Sequence, residues 1–285
     1  MLMSYNRILI ERKIREFLEE DSSYMDLSSS TIPIDAVSSA KIISKSIGYI
    51  SGLEELKILY DLLDVEIILK KKDGDPIKKG DIIAELNGNT RNILLGERVS
   101  LNLIAHMSAI TSTTSKYISI INNSNKSVRI ACTRKTTPGL RIFEKKATII
   151  GGGDPHRFSL DDMILLKDTH LKFYNGNISK LLSEIKKIAS FSKKIEIEVE
   201  KVEDSLEAAR NGADIIMLDN FTPHMVEEAI NILKQNKLRD KVLIEVSGNI
   251  TQDNILNYAR LGPDIISTSE ITQRPSEHID LTLRL

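Results

Sequence analysis

The chain has 285 residues, 41% hydrophobic and 28% charged, enough for one large or two medium globular domains with sizeable cores. A formal net charge of -1 leaves no overall attraction to nucleic acid or a membrane surface, so any anion binding has to be local. The single cysteine, Cys132, excludes an intrachain disulfide framework and a multi-cysteine metal site; with no stretch of about eighteen apolar residues and no leader-like N-terminus, a cytoplasmic protein is expected.

In chain order, Ile8, Leu9, Ile10, Ile14, Phe17 and Leu18 predict an amphipathic helix over residues 7–20. Residues 37–50 read as a strand pair with Gly48 near its turn, and 53–63 as a second helix. Asp73-Gly74, Pro76, Gly80 and Gly88 punctuate short strands, with lysines keeping their edges soluble. Residues 94–110 return to helical spacing, with Glu97, Arg98 and Asn102 as polar insertions and His106 as a core histidine.

From about residue 113 short apolar runs recur at 128–133, 163–168, 195–200, 214–219, 242–247 and 264–267. Helical stretches near 178–191, 203–212, 223–236 and 252–260 lie between them, which predicts an α/β layout with parallel crossovers. An open doubly wound sheet is the rival to a barrel. Polar residues at strand ends favour the barrel: Arg134, Lys167, Asp219, Ser247 and Ser267, with Glu198 just inside its strand. In barrels that face carries the active site.

The densest chemistry lies between Thr133 and His170. T-R-K-T-T-P-G-L-R at 133–141, a helix-like run, G-G-G-D-P-H-R at 151–157 and L-L-K-D-T-H at 165–170 gather Arg134, Lys135, Arg141, His156, Arg157 and Lys167 around a triple glycine. Guanidinium forks and glycine-exposed backbone N–H groups suit a small, highly anionic substrate. In I-E-I-E-V-E, alternation puts Glu196, Glu198 and Glu200 on one face, either as ligands for sugar hydroxyls or hydrated Mg²⁺ or as a solvated acidic edge. Ser247-Gly248-Asn249 and Ser267-Thr268-Ser269 end the last two strands as phosphate cradles or as ordinary turns. Arg98, Arg134, Lys135, Arg157 and Lys167 against Glu198 and Asp219 leave a positive surplus, which calls for a polyanion. No P-loop, dinucleotide-binding, nucleophile-elbow or zinc motif is present. Cys132 reads as a buried small residue, not a nucleophile.

Together with E-R-V-S-L-N at 97–102, D-G-D-P-I-K-K-G-D at 73–81 and I-E-V-S-G-N at 244–249, these motifs resemble the quinolinate phosphoribosyltransferases over nearly the whole chain. The resemblance implies an N-terminal open α/β sandwich (1–112), an incomplete parallel TIM-like α/β barrel (113–270), and a tail (271–285) returning to the first domain. The implied reaction joins quinolinate and phosphoribosyl pyrophosphate, with Mg²⁺, into nicotinate mononucleotide, pyrophosphate and CO₂. By the same resemblance Arg134, Lys135, His156, Arg157 and Lys167 bind quinolinate and Thr133 joins the substrate-binding set, with Lys135, Lys167, Glu198 and Asp219 catalytic. Glu198 and Asp219 act around the ribose and metal; Ser247, Gly248 and Asn249 hold a phosphate, Ser269 falls at a second such position, and Glu270 joins the substrate-binding set. Arg98 is implied to reach a neighbouring subunit's site, hence a homodimer or a higher oligomer. Pro155, Thr169, Asn249, Ser269 and Gln273 depart from the commonest family pattern, which leaves a paralogue with a nicotinate-like or other acceptor, a molybdenum-transport-associated relative, or a non-catalytic binder as alternatives.

Overall fold

The computed structural model describes residues 6–22, 24–122 and 128–285. The chain divides into two compact units: one runs to Thr113 and includes Pro275–Leu285, the other is Thr114–Arg274.

In the first unit α1 (Arg7–Asp21) starts at Asn6, whose side chain accepts from the Ile8 and Leu9 amides, and buries Ile10 and Ile14. β1 (Val37–Ser44), β2 (Gly48–Tyr49), α2 (Leu53–Leu62), β3 (Glu66–Leu69), β4 (Pro76–Ile77), β5 (Ile82–Asn89) and α3 (Thr90–Asn122) follow. The main sheet is antiparallel, in the order C-terminal strand (Leu281–Arg284), β1, β5, β3. Along β1, Ala40 and Ile42 are buried while Ser39 and Lys41 face outward, so one sheet face is covered and the other stays open.

Residues 37–50 therefore contain two strands that do not pair with each other. β1 takes β5 and the C-terminal strand as neighbours, and β2 pairs with β4. Both edges of β1 are filled by longer ladders, so β2 finds its polar partners on α3: Tyr49 N donates to Ser112 Oγ (2.8 Å) and Ser51 N to Ser108 Oγ (2.9 Å). Gly48 is there for close approach, not for a turn. A Cβ on it would stand 2.5 Å from Ile279 Cδ1 and 2.7 Å from Ser112 Oγ. The same hydroxyls explain why α3 outruns the helix predicted over 94–110: Thr111 Oγ1 donates to Ser51 Oγ (2.8 Å), so a polar stretch that reads as a break is satisfied inside the fold. α3 is long and apolar enough to cross a membrane, but 61% of its most apolar window is buried.

The second unit contains β6 (Arg129–Ala131), α4 (Arg141–Ile150), β7 (Ile164–Leu166), α5 (Asp168–Phe173), α6 (Ile178–Ile188), β8 (Ile195–Val199) and α7 (Val202–Arg210). It continues with β9 (Ile215–Asp219), α8 (Pro223–Gln235), β10 (Leu243–Ser247), α9 (Ile255–Ala259), β11 (Ile265–Ser267) and α10 (Glu270–Gln273). The sheet is parallel throughout, in the order β6-β11-β10-β9-β8-β7. The first strand thus lies beside the last, which a doubly wound sheet does not do. β6 and β7 do not pair, so the barrel is incomplete; Asp154 fills part of the gap, its N–H donating to Ile130 O (2.7 Å) while its carbonyl accepts from Cys132 N (3.1 Å).

Register separates the two faces. Ile197, Ile216 and Ile244 align laterally, as do Val246 and Ile266, and all five are buried beneath the helices. The alternating set, Leu165, Glu196, Glu198, Met217, Asp219, Glu245, Ser247 and Ser267, points into the barrel. Glu196 and Glu198 are buried and only Glu200 is exposed, so I-E-I-E-V-E is no solvated acidic edge.

Replacing Gly48 with Ala forces a methyl group onto Ile279 and Ser112. It should destabilise the protein by about 1–3 kcal/mol, seen as a lower urea midpoint with an unchanged slope.

Candidate active site

A cavity of about 460 Å³ opens at the C-terminal ends of the parallel strands. Of the residues singled out in the sequence it collects Thr133, Arg134, Lys135, His156, Arg157, Lys167, Glu198, Asp219, Ser247, Gly248, Asn249 and Ser267. Arg98 belongs to the first unit, where it lines another cavity with Asn102, His106 and His278. Ser269 and Glu270 do not line the barrel cavity: Ser269 precedes α10, and the Glu270 carboxylate accepts the Tyr117 hydroxyl. Burial and Glu270 together push the Tyr117 phenol far up.

Cations flank the barrel gap. Arg134 and Lys135 follow β6, Arg157 follows the segment that bridges to β6, and Lys167 follows β7. Arg157 is buried, and both burial and Arg134 beside it act against its charge. Arg134 Nε is buried without a hydrogen-bond partner. Two adjacent guanidiniums with an unsatisfied donor form a site that an anion would complete. On the other side Lys167 Nζ pairs with Glu198 Oε2 at 2.8 Å. Burial, followed by Glu198, raises the Asp219 carboxyl above its usual range.

The turn after β10 is built for tight backbone. Gly248 has φ +92°, and a Cβ there would meet Asn220 Oδ1 at 2.3 Å and Asn220 N at 2.8 Å. Asn249 follows at φ +52°, a left-handed conformation that asparagine tolerates better than most residues. Asn220 ties this turn to β9: it accepts from Asn249 Nδ2 (3.0 Å) and donates through Nδ2 to Asp219 Oδ2 (2.6 Å).

Several contributors were not singled out from the sequence. Leu165, Met217 and Asn220 line the cavity, and so does Glu245. Glu245 is fully buried; its Oε1 accepts from Ser267 Oγ (2.5 Å) and its Oε2 lies 3.1 Å from His156 Nε2. Glu196 lies deeper, its carboxyl pushed well up by burial and by Glu245, with neither oxygen hydrogen-bonded. The signal for Glu245 was present: it holds the same inward register on its apolar strand that Glu198 holds on β8. Lys145 is the other omission. Its ammonium, 1% exposed, donates to Thr133 O (3.3 Å) and to Pro155 O, and lies 3.6 Å from Cys132 Sγ. One buried charge therefore joins the two loops that carry Arg134, Lys135, His156 and Arg157. α4 hid it, because a lysine in an amphipathic helix normally reads as solvated.

The family model described as the C-terminal domain of quinolinate phosphoribosyl transferase matches residues 110–284, and the N-terminal domain model matches residues 26–108. The chain belongs to the quinolinate phosphoribosyl transferase family. A protein of Archaeoglobus fulgidus named probable nicotinate-nucleotide pyrophosphorylase (carboxylating) is 46% identical over 246 residues, covering 86% of this chain and 93% of that one. One of the same name from Methanothermobacter thermautotrophicus is 40% identical, covering 95% of this chain and 97% of its own. The solved nicotinate-nucleotide pyrophosphorylase of Francisella tularensis superposes with a TM-score of 0.90 at 32% identity, covering 100% of this chain and 98% of that one.

Cys132, fully buried and with its thiol pushed up by that burial, should resist alkylation in the folded enzyme near neutral pH. Mass spectrometry should find it labelled only after denaturation. Lys145→Met would strip two buried carbonyls of their donor, and a loss of about 2–4 kcal/mol in chemical unfolding is expected.

Proposed function

We propose that this chain transfers the phosphoribosyl group of phosphoribosyl pyrophosphate to quinolinate with loss of CO₂, giving nicotinate mononucleotide and pyrophosphate for NAD synthesis. The observation that carries this reading is the pair of crowded guanidiniums, Arg134 and Arg157, facing Glu198 and Asp219 across one cavity. A dicarboxylate acceptor matches the first pair and a ribose the second.

In this reading Arg134, Lys135 and Arg157 hold the quinolinate carboxylates, and Lys167, paired with Glu198, faces both substrates. The ring nitrogen forms a bond to the anomeric carbon while the bond to pyrophosphate breaks, so two polyanions have to be brought together. The cationic side of the cavity offsets their repulsion. Positive charge on the sugar as pyrophosphate leaves is stabilised by the Glu198 and Asp219 carboxylates. The ring is then cationic at nitrogen. The electrons of the breaking carbon–carboxylate bond stay on the ring carbon, which takes up a proton as CO₂ leaves. Ser247, Gly248 and Asn249 offer hydroxyl and backbone groups to a phosphate.

Mg²⁺ fits the donor set. Asp219 and Glu198 are carboxylates close enough for one to raise the other, and a divalent cation relieves that crowding. Glu198 and Asp219 would hold it, and its charge would offset that of the pyrophosphate.

The departures from the usual family pattern spare the cations of the cavity. Thr169 lines a groove beside α6, Ser269 lies outside the cavity, and Gln273 ends α10. Pro155 contributes its carbonyl to Lys145, and Asn249 carries the left-handed turn. This favours quinolinate over another acceptor. We also propose a homodimer in which Arg98 serves the neighbouring subunit's site.

The deciding assay follows pyrophosphate and CO₂ from phosphoribosyl pyrophosphate and Mg²⁺, with quinolinate and nicotinate in parallel. Both products are expected with quinolinate alone; turnover only with nicotinate would replace the acceptor. Lys135 is exposed, so Lys135→Ala should lower kcat/KM by at least about 100-fold while stability changes by under about 0.5 kcal/mol. Mixing Arg98→Ala with Lys135→Ala subunits, each inactive alone, should restore partial activity. Continued inactivity would refute the shared site.

A further inference from the structure

His156 is the residue whose expected role its own surroundings question. It sits in the loop after Asp154 with a left-handed backbone, φ +54°. That conformation is uncommon for a side chain of this size and is held by the His156 N–H donating to Asp154 Oδ1 at 2.7 Å. Both ring nitrogens are then occupied by protein. The Arg157 backbone N–H, which can only donate, points at Nδ1 from 2.7 Å. Nδ1 must therefore offer a lone pair, so the ring proton belongs on Nε2. Nε2 in turn faces Glu245 Oε2 at 3.1 Å and Glu196 Oε2 at 3.6 Å. The other Glu245 oxygen accepts from Ser267. The hydrogen bonds run one way, from Arg157 N–H to Nδ1 at one end of the ring and from Nε2–H to Glu245 at the other.

The ligand atoms of His156, Glu196 and Glu245 also lie within 4.8 Å of one another, a spacing that suits a metal ion. The polarity of the chain argues against one. A nitrogen that carries the proton cannot be a ligand, and freeing Nε2 by moving its proton to Nδ1 would set that proton against the Arg157 N–H. Arg157 also places its positive charge beside both carboxylates.

We infer that Glu245, supported by Ser267, is a positioning residue: it keeps His156 as the neutral Nε2–H tautomer and, through Nδ1, fixes the main chain of Arg157. His156 then enters the site as a strut and not as a substrate-binding cation. The charge that grips the acceptor's carboxylates comes from Arg134, Lys135 and Arg157. Arg157 is the group that most needs such support, because it is a buried guanidinium beside another, and its side chain donates to the Met163 carbonyl at 3.3 Å. The inference rests on the proposed reaction for its kinetic consequences only.

The test begins with nitrogen-15 NMR of the intact enzyme labelled at histidine, free and saturated with quinolinate near neutral pH. The His156 signals are those lost in His156→Asn; if that variant does not fold, they are those that persist in variants of the other four of the five histidines. One unprotonated nitrogen assigned to Nδ1 and one protonated at Nε2 are expected in both states. Two protonated nitrogens in either state would overturn the proposal. Kinetics supply the second arm. Glu245→Gln keeps a carbonyl for Nε2–H and an amide for Ser267 Oγ, and should stay within about threefold of the parent; Glu245→Leu removes the acceptor and should raise the quinolinate KM about tenfold or more, with the phosphoribosyl pyrophosphate KM moving less than about threefold. Equal impairment of both variants, or of neither, would sink the positioning role. If the parent enzyme did not turn over quinolinate, the proposed reaction would fail while the nitrogen signals would still decide the state of His156.

Discussion

Keeping two guanidiniums side by side at the edge of a barrel core is the constraint on which the site depends. Arg134 and Arg157 repel each other, Arg157 is buried, and one nitrogen of Arg134 has no protein partner. Left to itself such a pair would rotate into solvent, where each charge recovers its hydration. It stays because the main chain of both loops is pinned from behind. Lys145 joins the carbonyls of Thr133 and Pro155, and the ring of His156 joins Arg157 N–H to Glu245. The resulting unsatisfied positive charge is what an anionic substrate would complete, so affinity is prepared in the absence of ligand.

The buried acids follow from the same arrangement. A barrel alternates its residues, and every second position of β8, β9 and β10 must point inward whatever its chemistry. Here those positions carry Glu196, Glu198, Asp219 and Glu245. Three of them meet different neighbours: Lys167 for Glu198, Asn220 for Asp219, and Ser267 with His156 for Glu245. Glu196 has no such partner, and burial and the neighbouring Glu245 push its carboxyl well up. Four carboxyl groups from one alternating pattern thus meet different surroundings, because position across the sheet decides which group each one reaches.

Tight backbone does the remaining work. Gly248 and Asn249 adopt left-handed angles next to Asn220, and that asparagine bonds to both the turn and Asp219. Any side chain at position 248 would displace the residue that orients the carboxylate. The turn after β10 and the Asp219 carboxylate are therefore coupled through one amide.

Much of this was determined by the sequence alone. Its six apolar runs with helices between them become six parallel strands, and the polar residues at their ends line one cavity, because periodicity and strand polarity are local properties of the chain. Three things only the tertiary structure decided. The segment 37–50 could not announce that its two strands would part, since that depended on β5 and a C-terminal strand some 240 residues away occupying β1. Lys145 and Glu245 could not be separated from ordinary helix and strand residues, because burial of a charge depends on what packs over it. And the list of cations in the sequence could not say that both nitrogens of His156 would be taken by Arg157 N–H and Glu245. Charge type is written in the chain; protonation and partner are set by distance, and distance exists only after folding.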